Sequence, residues 1–401
     1  MAPIPKYVGP AALGIKMGVI VPGMDLIAEV VSWVAKCVRD QLVDDGDVLC
    51  ITESVVARSQ NNYVTVGEIA DEIRSKLHLP PKATLGVVFP ILSRNRFSPI
   101  LQAIARATGH GKVMLQLSWP TDEVGNRILA DELVIELGKN YDDIITEADL
   151  AGKSLLHPIT GVDYIQLYRE IINLEGAQAE ILLANDPAAI AGRGCDGIIA
   201  ADIHSRAKTK AAVEKALDKA GAGSLLISLD EICADQSKDA WSEWGLLGSN
   251  MSAGEKLKLA PRNGSEFASA VQAQVKRATG KNVEVIIYGD GAYKDPSTGI
   301  YELADPLPVL GATAGIAGMM REGVKYKYLA DVGLAQGKTA AEIETELMSL
   351  KGKSHQHSDA ETEGTTPRKM GDVIASLADL VSGSADAGTP LVIAKGFVTP
   401  A

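Results

Sequence analysis

Residues 264–295 read GSEFASAVQAQVKRATGKNVEVIIYGDGAYKD, and this stretch carries the fold in miniature. Ser265 to Thr279 reads as a helix. Val283 to Ile287 is apolar and β-branched apart from Glu284, which predicts a buried strand. It ends at Tyr288-Gly289-Asp290-Gly291. A helix feeding a buried strand that ends in a polar, glycine-rich turn is the repeating unit of an α/β protein, and functional side chains gather on such turns.

The same unit recurs in both directions. Gly18 to Gly23 (GVIVPG) reads as a short strand closed by a Pro-Gly turn, and a helix follows over about Asp25 to Leu42. Val48 to Ile51 reads as a second buried strand, followed directly by Thr52-Glu53-Ser54. A helix is expected over Thr65 to Leu77. Strands are expected at Thr84 to Pro90, Lys112 to Leu117, Ala179 to Leu183, Gly197 to Ala200 and Ser224 to Leu229, with a helix at Lys208 to Ala220. The chain closes with a helix over Asp372 to Val381, a Gly/Ser/Ala loop over Ser382 to Thr389 and a strand at Leu391 to Ala394. This alternation predicts a mixed α/β fold with helices covering a mixed or parallel sheet.

Composition sets the outer limits. The 401 residues include 51 acidic and 39 basic side chains, giving a formal net charge of −12. A general nucleic-acid or anionic-membrane binder needs a basic surface, so that class is excluded. At ~150 residues per domain the length predicts two or three domains. No stretch offers the ~20 uninterrupted apolar residues of a membrane span. The four cysteines, Cys37, Cys50, Cys195 and Cys233, lack metal-site spacing and read as reduced, buried thiols in a cytoplasmic protein.

Two glycine motifs mislead. The GKT of Gly337-Lys338-Thr339 lacks the Walker glycine, since Val332 stands where it belongs, and Thr339 with Glu342 fits a helix capping box. Gly311, Gly315 and Gly318 lack the acidic residue of a dinucleotide fingerprint.

Four polar groups are candidates for chemistry. Tyr288 to Pro306 is the densest, placing Asp290, Asp295, Glu302 and Asp305 just beyond a buried strand. A hard cation takes one or two carboxylates plus phosphate oxygens, so this segment is either a metal site or a turn of solvated acids. Asp202, His204 and Arg206 follow a strand, where a period of two would put them on one face. As catalytic residues, Asp and His suit metal ligation or proton transfer and Arg the clamping of a carboxylate; the alternative is a structural ion pair with a hydrogen-bonded His. Arg94 and Arg96 suit an anion contact or a surface salt bridge. His157 with Asp163 is a weaker pair of the same type, and His355 and His357 read as solvated.

Three ordered stretches resemble one family. GVIVPGMDL (18–26) with DDGDVLCITESVVARSQ (44–60), the 264–295 segment, and DVIASLADLVSGSADAGTPLVIAKG (372–396) resemble the coenzyme F420-0:L-glutamate ligases. SRNRF, HPITGVDY, DIHSR, GLLGSN, YELADP and GTTPR resemble motifs of its longer bacterial members. The resemblance implies an α+β, two-domain gamma-glutamyl ligase-like fold. Residues 1–61 and 241–401 would form the core, and 62–240 a large inserted α/β region. It implies a homodimer and an amide-forming ligase that uses GTP, or ATP, with Mg²⁺ or Mn²⁺. A small-molecule carboxylate would be joined to an amino acid such as glutamate.

By the same resemblance Val19, Ile20 and Val21 lie against the nucleotide. Glu53 and Ser54 fall where the family has a Ser-Thr pair, and Arg58 falls on a family lysine. Gly291, Gly383 and Ser384 fall in nucleotide-binding turns, and Asp290 on or beside a metal-binding Asp. The family's first metal-binding Asp would fall within Leu247 to Asn250, where this chain has Gly-Ser-Asn and no carboxylate. Asn250 is then a nucleotide or metal contact, with Glu302, Asp305 or Asp202 as the replacement ligand. Two other readings follow from that departure: a binding or regulatory protein that kept the fold, and a nucleotide or phosphate hydrolase.

Overall fold

The computed structural model describes residues 8–221, 223–294, 299, 303–321, 323–350, 362, 365–385 and 388–398. Two large sheets dominate. The first has five strands in the order Ala11–Ile15, Leu391–Lys395, Val48–Thr52, Glu284–Tyr288, Val309–Ala312. Val48–Thr52 and Glu284–Tyr288 run parallel and the other neighbours antiparallel.

Both faces of this sheet are covered, as its nearly unbroken apolar strands require. Side chains alternate between faces. Leu49, Ile51, Val285 and Ile287 pack with Val30, Val34, Val271 and Val275 of the helices Leu26–Arg39 and Gly264–Thr279. Val48, Cys50, Ile286 and Tyr288 pack with Ile374, Ala375 and Ala378 of the helix Met370–Asp379. Truncating Leu49, Ile51, Ile286, Ile287 or Ile374 to alanine would cost about 2–5 kcal/mol.

The second sheet has six strands in the order Ile145–Thr146, Gln178–Leu183, Lys112–Leu117, Thr84–Val88, Gly197–Ala200, Leu225–Ser228. All neighbours are parallel except the short edge strand Ile145–Thr146. The chain starts in the middle at Thr84–Val88, winds outward one way, then returns to Gly197–Ala200 and winds the other way. The reversal leaves a crevice between the loops that follow these two strands, the place where doubly wound sheets bind ligands. Arg96 sits on one loop and Asp202 and His204 on the other.

A small antiparallel sheet joins Asn250–Met251, Lys256–Lys258 and Tyr63–Thr65 in that order. Thr65 caps the helix Val66–Lys76 through a reciprocal capping box with Glu68, and the Thr339–Glu342 box forms as its spacing predicts. All four cysteines are buried and free. Among the described residues no helix is long and apolar enough to cross a membrane.

Three expectations change. GVIVPG is not a strand: Val19 and Val21 are exposed, while Met17 and Ile20 turn inward. Gly18 takes a positive φ of 80°, which breaks the alternation, and the edge strand forms earlier, at Ala11–Ile15. The last helix does not stop at a loop but continues as a π-type turn over Leu380–Ala385. Asp202, His204 and Arg206 do not share a strand face, because the strand ends at Ala200 and Arg206 already opens the helix Arg206–Ala220.

Candidate functional site

The parallel pair Val48–Thr52 and Glu284–Tyr288 is in register from Glu284–Val48 to Tyr288–Thr52. Its two carboxyl ends therefore release Glu53-Ser54 and Gly289-Asp290 side by side at one sheet edge. Gly23 donates its N–H to the carbonyl of Ser59 at 3.0 Å, which holds the 18–23 segment against the helix Glu53–Ser59. The Tyr288 hydroxyl meets the Ser382 Oγ at 2.6 Å, fastening the strand end to the Leu380–Ala385 turn.

The acidic turn folds on itself around Asp305. The Asp290 N–H donates to Asp305 Oδ2 at 2.8 Å, and the Ala304 N–H to Asp290 Oδ2 at 3.0 Å. Gly289 is obligatory here, since a Cβ would lie 2.1 Å from Asp305 Oδ2. Gly291 donates its N–H to Asp379 Oδ2 at 2.8 Å, and Ala292 to Ser376 Oγ at 2.9 Å. The helix Met370–Asp379 thus pins the turn from the other side.

Arg96 reaches this turn from the second sheet. Its Nη1 donates to Asp305 Oδ1 at 2.6 Å and its Nη2 to Asp290 Oδ2 at 2.8 Å. Burial disfavours the guanidinium charge, but Asp305 and Asp290 outweigh it and hold the pKa above its ordinary value. The surrounding charges are coupled. Glu53 is buried and accepts from Lys258 Nζ at 2.6 Å. Burial raises its pKa, Lys258 and Arg96 oppose that rise, and Asp305 adds to it. Asp379 is raised by burial and by Asp305, against the Gly291 hydrogen bond and Arg96.

The crevice loop opposite is more divided. Asp202 is buried and accepts from Thr209 Oγ1 at 2.9 Å, and its Oδ1 has no hydrogen-bond partner among the described residues. Burial, then Glu123, pushes its pKa up to about 7. His204 Nε2 lies 2.7 Å from the Leu303 carbonyl, two residues before Asp305, so this ring touches the acidic turn. Arg206 turns away, pairing with Asp230 at 3.0 Å. Glu123 accepts from the backbone N–H groups of Ile203, His204 and Ser205. The three side chains expected to act together have three different sets of partners.

The other expected residues fall as follows. Ser54 and Arg58 are exposed on the helix Glu53–Ser59, and Glu53 is committed to Lys258. Val19 and Val21 are exposed and Ile20 is buried. Asn250 starts a short strand beside Gly248, where a Cβ would lie 3.4 Å from Asp305 Oδ1. The stretch that lacks the family's carboxylate therefore does sit against the acidic turn. Gly383 lies in the π-type turn, its Cβ position 3.4 Å from Asp379 Oδ1, and Ser384 follows it in the backbone. Asp295, Glu302, His355 and His357 lie outside the described residues.

Arg94 is exposed, and its charge opposes the rise that burial gives the Tyr164 pKa. His157 is buried, and its Nδ1 accepts from the Thr160 N–H at 3.1 Å. Burial lowers its pKa. Asp163 caps the helix Tyr164–Leu174.

Sequence reasoning missed Lys258, Asp379 and Glu123. Asp379 had a signal, an acid ending an otherwise apolar helix run just before a glycine-rich segment. Lys258 and Glu123 had none, because their partners are distant in sequence.

A divalent ion does not fit the Asp290–Asp305 pair as it stands. Among the described residues no three His, Cys, Asp or Glu side chains converge as a metal cluster. The space between the two carboxylates belongs to Arg96.

Against this geometry, a family model described as F420-0:Gamma-glutamyl ligase matches residues 14–396. No curated protein matches the sequence.

Proposed function

The chain belongs to the F420-0:gamma-glutamyl ligase family, which spans nearly all of it, and from that premise we propose an acid–amino-acid ligase that works through an acyl phosphate. Family membership supports ligase activity and small-molecule substrates in general. Nucleotide use and the reaction course are our reading.

The proposed steps follow from the chemistry of carboxylates. A carboxylate is a poor electrophile. Its oxygen attacks the γ-phosphorus of GTP or ATP, and the nucleoside diphosphate leaves. The amine of an amino acid, glutamate in the family's name, then attacks the acyl carbon. Phosphate leaves and the amine loses a proton. Little side-chain acid or base work is needed; positioning and charge compensation dominate. Mg²⁺ or Mn²⁺ enters in this reading with the nucleotide, as a metal–nucleotide co-substrate.

One observation supports this reading most. The parallel strands Val48–Thr52 and Glu284–Tyr288 release two candidate loops at one edge, and Arg96 brings the crevice of the second sheet to the same place. Exposed Ser54 and Arg58 face solvent nearby as candidate phosphate contacts. In this assignment 62–240 is a domain inserted into a core formed by 1–61 and 241–401, and it shapes the acceptor site. Of the three crevice residues, His204 stays a candidate because it touches the turn, whereas Asp202 and Arg206 support the loop.

The test is direct. Protein is incubated with GTP or ATP, Mg²⁺ or Mn²⁺, and panels of acids and amines. Phosphate release that needs both acid and amine is the expected result. Release with water alone would favour a hydrolase. Tight small-molecule binding by calorimetry without release across the panel would favour a binding protein, the reading supported by Gly248-Ser249-Asn250, where no carboxylate stands. We further propose a homodimer, checked by light scattering, and a reducing cytoplasm, which suits four free buried thiols.

A further inference from the structure

We propose that the Arg96 guanidinium is the resident cation of the Asp290–Asp305 carboxylate pair, so that the nucleotide-free protein binds no divalent ion there. Arg96 belongs to the loop after the central strand of the second sheet, whereas both carboxylates belong to the turn after a strand of the first. The contact therefore joins two separately wound sheets through one charged group.

The geometry is that of a filled site. One guanidinium nitrogen goes to each carboxylate, at 2.6 and 2.8 Å. The carboxylates are also held inward by backbone N–H groups, Ala304 on Asp290 and Asp290 on Asp305. Asp305 has only 2% side-chain exposure and Arg96 15%. A dication entering between these oxygens would face a desolvated guanidinium at contact distance. It could bind only by expelling that group and leaving its charge uncompensated.

Arginine suits this pair because its planar fork offers each carboxylate its own nitrogen, whereas a lysine would have to share one ammonium between them. The consequence for the site is that its fixed positive charge at this turn is built into the chain and is supplied by the 62–240 region. Gly248 lies beside the turn, and its Gly-Ser-Asn stretch carries no carboxylate, which agrees with a cation that carries its own donors and needs no third acid.

This inference concerns the same site as the proposed function but does not depend on turnover, since the measurement is made without nucleotide. Metal-stripped protein is titrated with Mn²⁺ and followed by electron paramagnetic resonance and calorimetry. The wild type is expected to show no saturable site at this pair. Arg96→Met, which keeps the side-chain length and loses the charge, is expected to gain one Mn²⁺ site per chain, at least about tenfold tighter than any wild-type binding. Asp290→Asn in the Arg96→Met background should remove that site. A stoichiometric Mn²⁺ site in the wild type that Asp290→Asn abolishes would overturn the proposal, as would a folded Arg96→Met protein that gains no binding. The wild-type and Asp290→Asn measurements decide the matter even if Arg96→Met fails to fold.

Discussion

Arg96 and Asp305 are 209 residues apart and meet at 2.6 Å, with the carboxylate almost completely buried. Their contact closes the edge where both large sheets present their candidate loops. The predictions below test the groups on which that closure depends.

Gly289→Ala places a methyl group where Asp305 Oδ2 now lies, 2.1 Å from the ideal Cβ. Asp305 has to move, and the Arg96 fork opens with it. A loss of about 1–3 kcal/mol is expected by urea unfolding. Stability within error of the wild type would show that the turn has slack.

Lys258→Met leaves the Glu53 carboxyl buried without its partner. The expected cost is about 3–5 kcal/mol. Replacing both, Lys258→Met with Glu53→Leu, should recover most of it, because two apolar groups need no mutual compensation. Equal destabilisation in the single and double variants would contradict the pairing.

Asp202 makes stability depend on pH. Its carboxyl stays protonated in the folded chain up to about pH 7, while the unfolded chain releases the proton near 4. Between those values the folded state binds the extra proton, so stability falls as pH rises. The penalty reaches about 4 kcal/mol above pH 7. Asp202→Asn should flatten this slope and raise the melting temperature at pH 8. An unchanged slope from pH 4 to 7 would assign the dependence to another group.

Asp290→Asn removes one charged partner of Arg96 and one candidate ligand for the metal that enters with the nucleotide. Nucleotide affinity, measured by calorimetry with Mg²⁺ present, should fall about ten- to hundredfold, the range of a charge-assisted hydrogen bond. Affinity equal to the wild type would remove Asp290 from the site.

Tyr288→Phe deletes the hydroxyl that bonds Ser382. About 1 kcal/mol of stability should be lost. Hydrogen exchange should quicken locally in Leu380–Ala385 and not in the neighbouring strand Leu391–Lys395. A uniform change across both would argue against a local clasp.

Much of the fold was legible because period and propensity are local. Val48 to Ile51, Val113 to Leu115 and Gly197 to Ala200 are continuous apolar runs, and each lies in a buried strand. GVIVPG has the same composition and fails, because Gly18 lets the backbone turn and two of its valines face solvent. Asp202, His204 and Arg206 fail for a related reason: a period of two holds only while the strand lasts, and this strand ends at Ala200.

The sequence by itself determined the family, the α/β alternation and the acidic turn after Glu284–Tyr288, since each is written in neighbouring residues. It also marked Arg96, Asp290 and Asp305 as charged groups in polar loops. Only the tertiary structure decided that these three are partners. Ion pairing falls off within a few ångströms and takes no account of sequence distance. Two sheets therefore had to be wound and docked before a turn that reads as a metal site could be seen to hold an arginine.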